Sequence, residues 1–134
     1  MALKSIPKLK KDLQLLVNRY CRIRDCKGEV GGVCISCGRY YPFARLQGGH
    51  FVPKTASLIR FDERNINAQC VGCNMFKGGY VLGYFPAMEK KYGRAVVDEL
   101  LSKKHELKGW KRWELEAMIN EYHQKNKTLL DEYR

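Results

Sequence analysis

Apolar positions near the start of the chain recur with a helical period. Leu9, Leu13, Leu16, Val17, Tyr20 and Ile23 are spaced by three and four, with Lys and Arg between them. That spacing predicts an amphipathic helix over residues 8–25, with Pro7 suited to its first turn. The period then disappears. Residues 28–49 are punctuated by Gly28, Gly31, Gly32, Gly38, Pro42, Gly48 and Gly49. Short strands and turns fit there, around Cys34–Cys37 and from about Arg45 to Val52. Residues 53–67 read as a polar, irregular loop. A helix is expected from near Cys70 to about Lys77, where Gly78-Gly79 interrupts it. Further helical stretches follow over 80–92, 94–103 and 110–128. The first contains Pro86, which implies a kink or a later start. The last carries Trp110, Trp113, Ala117, Met118 and Tyr122 as its expected apolar stripe. The pattern is α+β, in three segments: a helix within 1–27, a glycine-rich core over 28–80 and a helical region over 81–134.

Composition narrows the class. At 134 residues, with 29% charged and 45% hydrophobic positions, the chain suits one globular domain. It contains no apolar run of membrane-spanning length, and its N-terminus lacks the apolar stretch and cleavage site of a signal peptide. A cytosolic protein with no membrane partner is therefore expected. The net charge of +11 points to a polyanionic partner. The excess is uneven. Residues 1–27 carry eight Lys/Arg against two acids, whereas residues 84–134 carry eleven against nine. The first segment thus reads as a basic arm, with Lys10, Lys11, Arg22 and Arg24 as candidate phosphate contacts. The tail reads as a solvated face.

Six cysteines in a chain without an export signal favour metal binding over disulfides. Cys34-x2-Cys37 and Cys70-x2-Cys73 have the spacing of two tight turns that together present four thiolates to one ion. Four thiolates leave no open position for water, so a zinc ion here is expected to be structural. It would supply folding free energy that the glycine-rich segment cannot obtain by apolar burial. Gly38 directly after Cys37 suits a turn requiring positive φ. Cys21 and Cys26 lack this spacing and read as plain buried or partly exposed thiols.

Between and after the cysteine pairs lie Gln47-Gly48-Gly49-His50-Phe51, Ile59-Arg60-Phe61-Asp62-Glu63-Arg64-Asn65 and Cys70-Val-Gly-Cys73-Asn74. The order Cys pair, His, Asn, Cys pair, Asn resembles the HNH endonucleases with a ββα-metal fold. The Cys-x2-Cys-Asn ending resembles the phage endonuclease VII group. The wider run resembles the NinG (Rap) recombination proteins of lambdoid phages: Ile23-Arg24-Asp25, Cys34-Ile-Ser-Cys37-Gly38, Gly49-His50-Phe51, Ile59-Arg60-Phe61-Asp62, Asn65, Gln69-Cys70, Cys73-Asn74 and Lys77. This resemblance covers about residues 8–105.

The resemblance implies a zinc-bound HNH core over 28–80 that hydrolyses phosphodiester bonds. His50 would be the general base, because a neutral imidazole can accept a proton near neutral pH. Asn65 would fix the loop opposite and so the orientation of His50. Asn74 would offer its amide oxygen to a catalytic divalent cation, Mg²⁺ being a hard ion that takes oxygen ligands. Gly48 and Gly49 would let the backbone approach the scissile phosphate. Many relatives carry an Asp where this chain has Gly49, so the cation would also lean on water, DNA phosphate and conceivable acids at Asp62 or Glu63. Arg60 is expected either to bind phosphate or to close an ion pair. Lys77, one turn after Asn74, and Lys54 are further DNA candidates. His105 and His123 read as structural or exposed, and Trp110 and Trp113 as core or dimer packing. The implied substrates are branched recombination intermediates such as Holliday junctions and D-loops, cut by a homodimer. Two other functions compete with this one. One is a zinc-stabilised DNA-binding module without catalysis, and the other is an HNH nuclease of restriction or packaging.

Overall fold

The computed structural model describes residues 3–133. Helix α1 (Ile6–Cys26) starts where Ser5 Oγ accepts from the Lys8 amide and ends where Lys27 turns left-handed. Of the apolar stripe that the spacing predicts, Leu9, Leu13, Val17 and Ile23 are buried and Leu16 and Tyr20 half-buried; Cys21 is buried as well, and Leu9, Leu13, Val17 and Cys21 form the inner face. They meet Leu115 and Tyr122 of the last helix, α4 (Arg112–Glu132), together with Phe61 and Ile66. The stripe of α4 is shifted from the expected one. Leu115, Tyr122 and Asn126 are buried, while Trp113 is exposed. Trp110, just before the helix, packs edge-on against Phe61 and donates to the Ser57 carbonyl.

Two antiparallel strand pairs occupy the glycine-rich segment. Strand β1 (Gly31–Val33) pairs with β2 (Tyr40–Pro42), and β3 (Leu46–His50) pairs with β4 (Ile66–Cys70). The β3–β4 register sets His50 opposite Ile66 and Leu46 opposite Cys70. Strand β4 lies where a loop and a helix start were expected. The alternation that marks a strand is missing, because all five residues of Ile66-Asn-Ala-Gln-Cys70 are buried on both faces. The stretch after Cys70 is a single π-helical turn (Gly72–Phe76). It leads through Gly78 and Gly79 to α2 (Val81–Tyr92) and α3 (Arg94–Ser102). Pro86 lies inside α2 without delaying its start. These two helices enclose a second core of Phe51, Val52, Ile59, Tyr84, Met88, Val97 and Leu100. Among the described residues, no helix is long and apolar enough to cross a membrane.

The polar residues of β4 find distant partners, except that Gln69 Oε1 is buried without one. Asn67 accepts from Lys91 Nζ (2.6 Å), Tyr92 Oη (3.1 Å) and Arg24 (3.2 Å). Asp25 accepts from Arg24, Lys91 and the Ala68 amide, each at 2.8 Å. Burial raises the Asp25 carboxyl, but the neighbouring Arg24 and Lys91 outweigh it and hold its pKa below the ordinary value. This network ties the end of α1 to β4 and α2.

Candidate functional site

The four cysteines converge as their spacing implies. All four Sγ atoms lie within 4.8 Å of one another, and Cys37 Sγ and Cys70 Sγ are 4.0 Å apart. A tetrahedron with Zn–S bonds of about 2.3 Å has sulfur–sulfur edges of roughly 3.8 Å, so the quartet could hold a metal such as zinc. Its first turn closes with the Gly38 amide donating to the Cys34 carbonyl, and Gly38 has φ +75°. The second closes with the Cys73 amide donating to Cys70 Sγ. Burial pushes the Cys34 and Cys73 thiols up, and a dication would ionise all four. Cys21 and Cys26 are buried elsewhere and do not join the group.

On the other side of β3 lies an open groove of about 360 Å³, lined by Gln14 and Asn18 of α1, Gly48, His50, Lys54, Asn74, Gly78 and Gly79. His50 Nε2 is 2.8 Å from the Arg60 carbonyl oxygen. A carbonyl only accepts, so Nε2 carries the proton and Nδ1 is the basic nitrogen. Burial lowers the His50 pKa below the ordinary value, and the charges of Lys54 and Arg60 act in the same direction. The imidazole is therefore neutral at physiological pH. Asn65, fully buried, holds the segment after His50. Its Oδ1 accepts from the Val52 amide (2.8 Å), and its Nδ2 donates to the Val52 and Ile59 carbonyls. Asn74 Nδ2 donates to Gln47 Oε1 (2.7 Å), which fixes its amide plane.

Residues 1–132 match the family described as "Bacteriophage Lambda NinG protein". The chain belongs to the NinG family. It is 39% identical over 122 residues to protein ninG of Salmonella phage P22, covering 90% of this chain and 57% of that one. It is 38% identical over 120 residues to protein ninG of Escherichia phage lambda, covering 89% and 56% respectively. The chain thus spans a little over half the length of these curated relatives. No solved structure matches it.

In this NinG-family chain the expected site residues fall into two groups. His50, Asn74 and Lys54 share the groove, with Asn65 behind it. Arg60 reaches the groove wall by donating to Gln14 Oε1 (2.9 Å) and makes no ion pair among the described residues, so of its two expected roles the structural ion pair is absent there. Lys77 does not face the groove. It stacks 4.8 Å over the Tyr80 ring and lines a cleft beside the cysteines with Arg39 and Tyr41. A π turn advances each residue by less than the roughly 100° of an α-helix, so three steps from Asn74 do not return to its face. Arg24 is taken up by Asp25 and by the Glu63 and Ile66 carbonyls, so its guanidinium is engaged within the fold. Arg22 donates to the Leu46 carbonyl and stacks on Phe43. Lys10 and Lys11 precede Gln14 by a helical turn on α1 and carry no ion pair among the described residues.

The acids are spent elsewhere as well. Asp62 pairs with Arg64, and Glu63 accepts from Tyr122 and Lys125. His105 and His123 are exposed and stand apart from the groove. Packing requires both glycines. A Cβ at Gly48 would sit 2.7 Å from Asn18 Cβ, and one at Gly49 would sit 1.9 Å from Gln69 Oε1. An aspartate at 49 would therefore collide with Gln69, whose Nε2 is held by Ser36 Oγ and the Gly79 carbonyl. Gln14 and Asn18 were not anticipated in the site. Their one signal is two amides four residues apart on one face of an otherwise apolar and basic helix; Gln14 Nε2 donates to Asn18 Oδ1 at 2.8 Å.

Proposed function

We propose that this chain is a metal-dependent DNA endonuclease of the HNH, endonuclease VII-like kind. Its substrates would be branched recombination intermediates such as Holliday junctions and D-loops. The observation that carries the reading is the shared groove, where a neutral histidine protonated on Nε2, an amide oxygen donor and Lys54 meet, with Arg60 held at its wall by Gln14. Strands β3 and β4 followed by the turn at Gly72–Phe76 have the order strand, strand, helix of a ββα-metal core.

In this reading His50 Nδ1 takes a proton from water as its oxygen forms a bond to phosphorus and the bond to the leaving sugar oxygen breaks. The Arg60 carbonyl stabilises the imidazolium so formed, since it accepts from Nε2 in both states. Asn65 is a positioning residue for His50. Lys54 and Arg60 neutralise the phosphoryl oxygens. No carboxylate lines the groove. The donor set therefore suits a hard dication such as Mg²⁺ only as a site shared between Asn74 Oδ1 and the substrate's own phosphate. When bound, that ion supplies Lewis-acid charge neutralisation at the leaving oxygen. Two opposed nicks at a junction require two such grooves, so the proposal includes a homodimer.

The lack of a groove carboxylate is also what favours the second reading, a zinc-stabilised DNA-binding module without catalysis. Incubating four-way junction, D-loop, duplex and single-stranded DNA with and without Mg²⁺ separates the two. His50→Ala is expected to lose about 10²-fold or more in cleavage, and Asn74→Ala is expected to lose Mg²⁺ dependence. Cleavage by His50→Ala at the wild-type rate defeats the nuclease reading.

A further inference from the structure

The loop that follows the cysteine quartet carries a feature that hydrolysis does not use. Val71, Met75, Phe76, Val81 and Leu82 are all exposed, Phe76 at 82% and Leu82 at 85% of their surface. Single exposed apolar residues are ordinary, but five within twelve consecutive positions form a patch that calls for a partner. The loop that bears them is anchored. Cys73 sits in the thiol quartet, Tyr84 in the second core, and Gly79 O accepts from Gln69 Nε2 at 2.6 Å. Gln47 clamps its inner edge, accepting from Asn74 and donating to Met75 Sδ. The π turn and the positive φ of Gly78, Gly79 and Tyr80 reverse the chain between Phe76 and Val81. The result is an apolar tip directly beside the groove that holds His50.

Charge decides the class of partner. From Val30 to Phe61 and from Arg64 to Met88 the chain has no acidic residue. The two acids between these stretches, Asp62 and Glu63, are occupied by Arg64 and Lys125. Arg39, Arg45, Lys54, Arg60 and Lys77 make no ion pair among the described residues. A second copy seated on this face would bring the same unopposed cations together. A polyanion with apolar faces of its own matches both the charge and the tip, and nucleic acid is such a polymer.

Resting on the reading of the groove as a DNA site, we propose that residues 71–82 form a wedge. Phe76 and Leu82 insert against bases whose stacking is already interrupted, so the chain prefers branched or unpaired DNA to continuous duplex. Opening a stacked step costs a few kcal/mol and a branch point has none to open, which gives the preference its physical source.

The test uses the full zinc-loaded chain without added Mg²⁺, with 2-aminopurine placed at the centre of a four-way junction or of a matched duplex. Wild type is expected to raise the fluorescence on the junction and leave the duplex little changed. Phe76→Ala and Leu82→Ala are expected to abolish most of that rise and to weaken junction binding by about 5- to 150-fold, the value of one stacked base. Phe76→Trp is expected to keep both. Both side chains are exposed, so an unchanged melting temperature confirms that the fold is intact. Junction binding and fluorescence equal to wild type in Phe76→Ala overturn the wedge. So does loss of dimer in Phe76→Ala on sedimentation with the fluorescence rise retained, which assigns the tip to a second copy. Fluorescence that depends on Phe76 in a chain that cuts nothing sinks the nuclease reading and leaves the wedge standing. Normal cleavage with fluorescence indifferent to Phe76 does the reverse.

Discussion

The α1–α4 pair and the segment from Gly31 to Cys73 are held by different forces. The helices meet through Leu9, Leu13, Val17, Leu115 and Tyr122, and their stability comes from apolar surface removed from water. The glycine-rich segment has two antiparallel strand pairs and lends Phe61 and Ile66 to the helical core and Phe51, Val52 and Ile59 to the second one. What sets it apart is that amides and thiols are buried beside them: Asn65, Asn67 and Gln69 are fully buried, and the four cysteines form a cluster of their own. The proposed chemistry sits on the seam, with Gln14 and Asn18 from the apolar half and His50 and Asn74 from the other. A scaffold of packed helices can tolerate small losses. A scaffold that also rests on buried amides and clustered thiols tolerates less, since each unsatisfied partner costs in full.

Disrupting the thiol quartet is the strongest way to break this contrast. Binding of structural zinc contributes on the order of 10 kcal/mol. A strong chelator, or Cys70→Ser, is therefore expected to release amide protection across β3 and β4 in hydrogen exchange. Protection of α1 and α4 that outlasts it would sharpen the contrast, and simultaneous loss would show one cooperative unit. Leu13→Ala comes next, at about 2–5 kcal/mol by denaturant unfolding of the zinc-loaded protein. It should lower the midpoint without changing zinc stoichiometry.

Asn65→Ala deletes the amide that serves Val52 and Ile59 and is expected to cost about 2–3 kcal/mol. It should also release the hold on His50, lowering cleavage even where the fold persists; an activity loss no larger than the stability loss predicts would sink the positioning role. The smallest effect is that of pH. The folded His50 pKa lies below its unfolded value of about 6.5, so the unfolded chain binds the extra proton more readily. Its contribution is fully present above about pH 6.5 and is lost as pH falls through the lower folded value. His50→Asn is expected to flatten that part of the melting temperature profile, and an unchanged slope would place His50 outside the buried set.

Legibility followed the same division. In the apolar half a 3.6-residue period located α1 to within two residues at its start, because burial of one face leaves a periodic trace. In the polar half the trace is absent. Strand β4 is buried on both faces yet carries Asn67 and Gln69, so neither alternation nor an apolar run marks it. The cysteine spacing was readable because a tight turn and a tetrahedral ion fix local geometry. Arg24 and Lys77 lie away from the groove for opposite reasons. A basic residue on a basic helix gives no sign that Asp25 and two carbonyls claim it, and the side that Lys77 takes depends on a turn whose π geometry composition does not announce.

By itself, then, the sequence determined the helical half, the thiol quartet and the NinG-like order of His50, Asn65 and Asn74, all of which depend on local period or spacing. Tertiary structure alone decided which cations stay unpaired, why position 49 has to be glycine against Gln69, and that Gln14 and Asn18 complete the groove. Those outcomes depend on contacts between residues far apart in the chain, and only the packed chain fixes such distances.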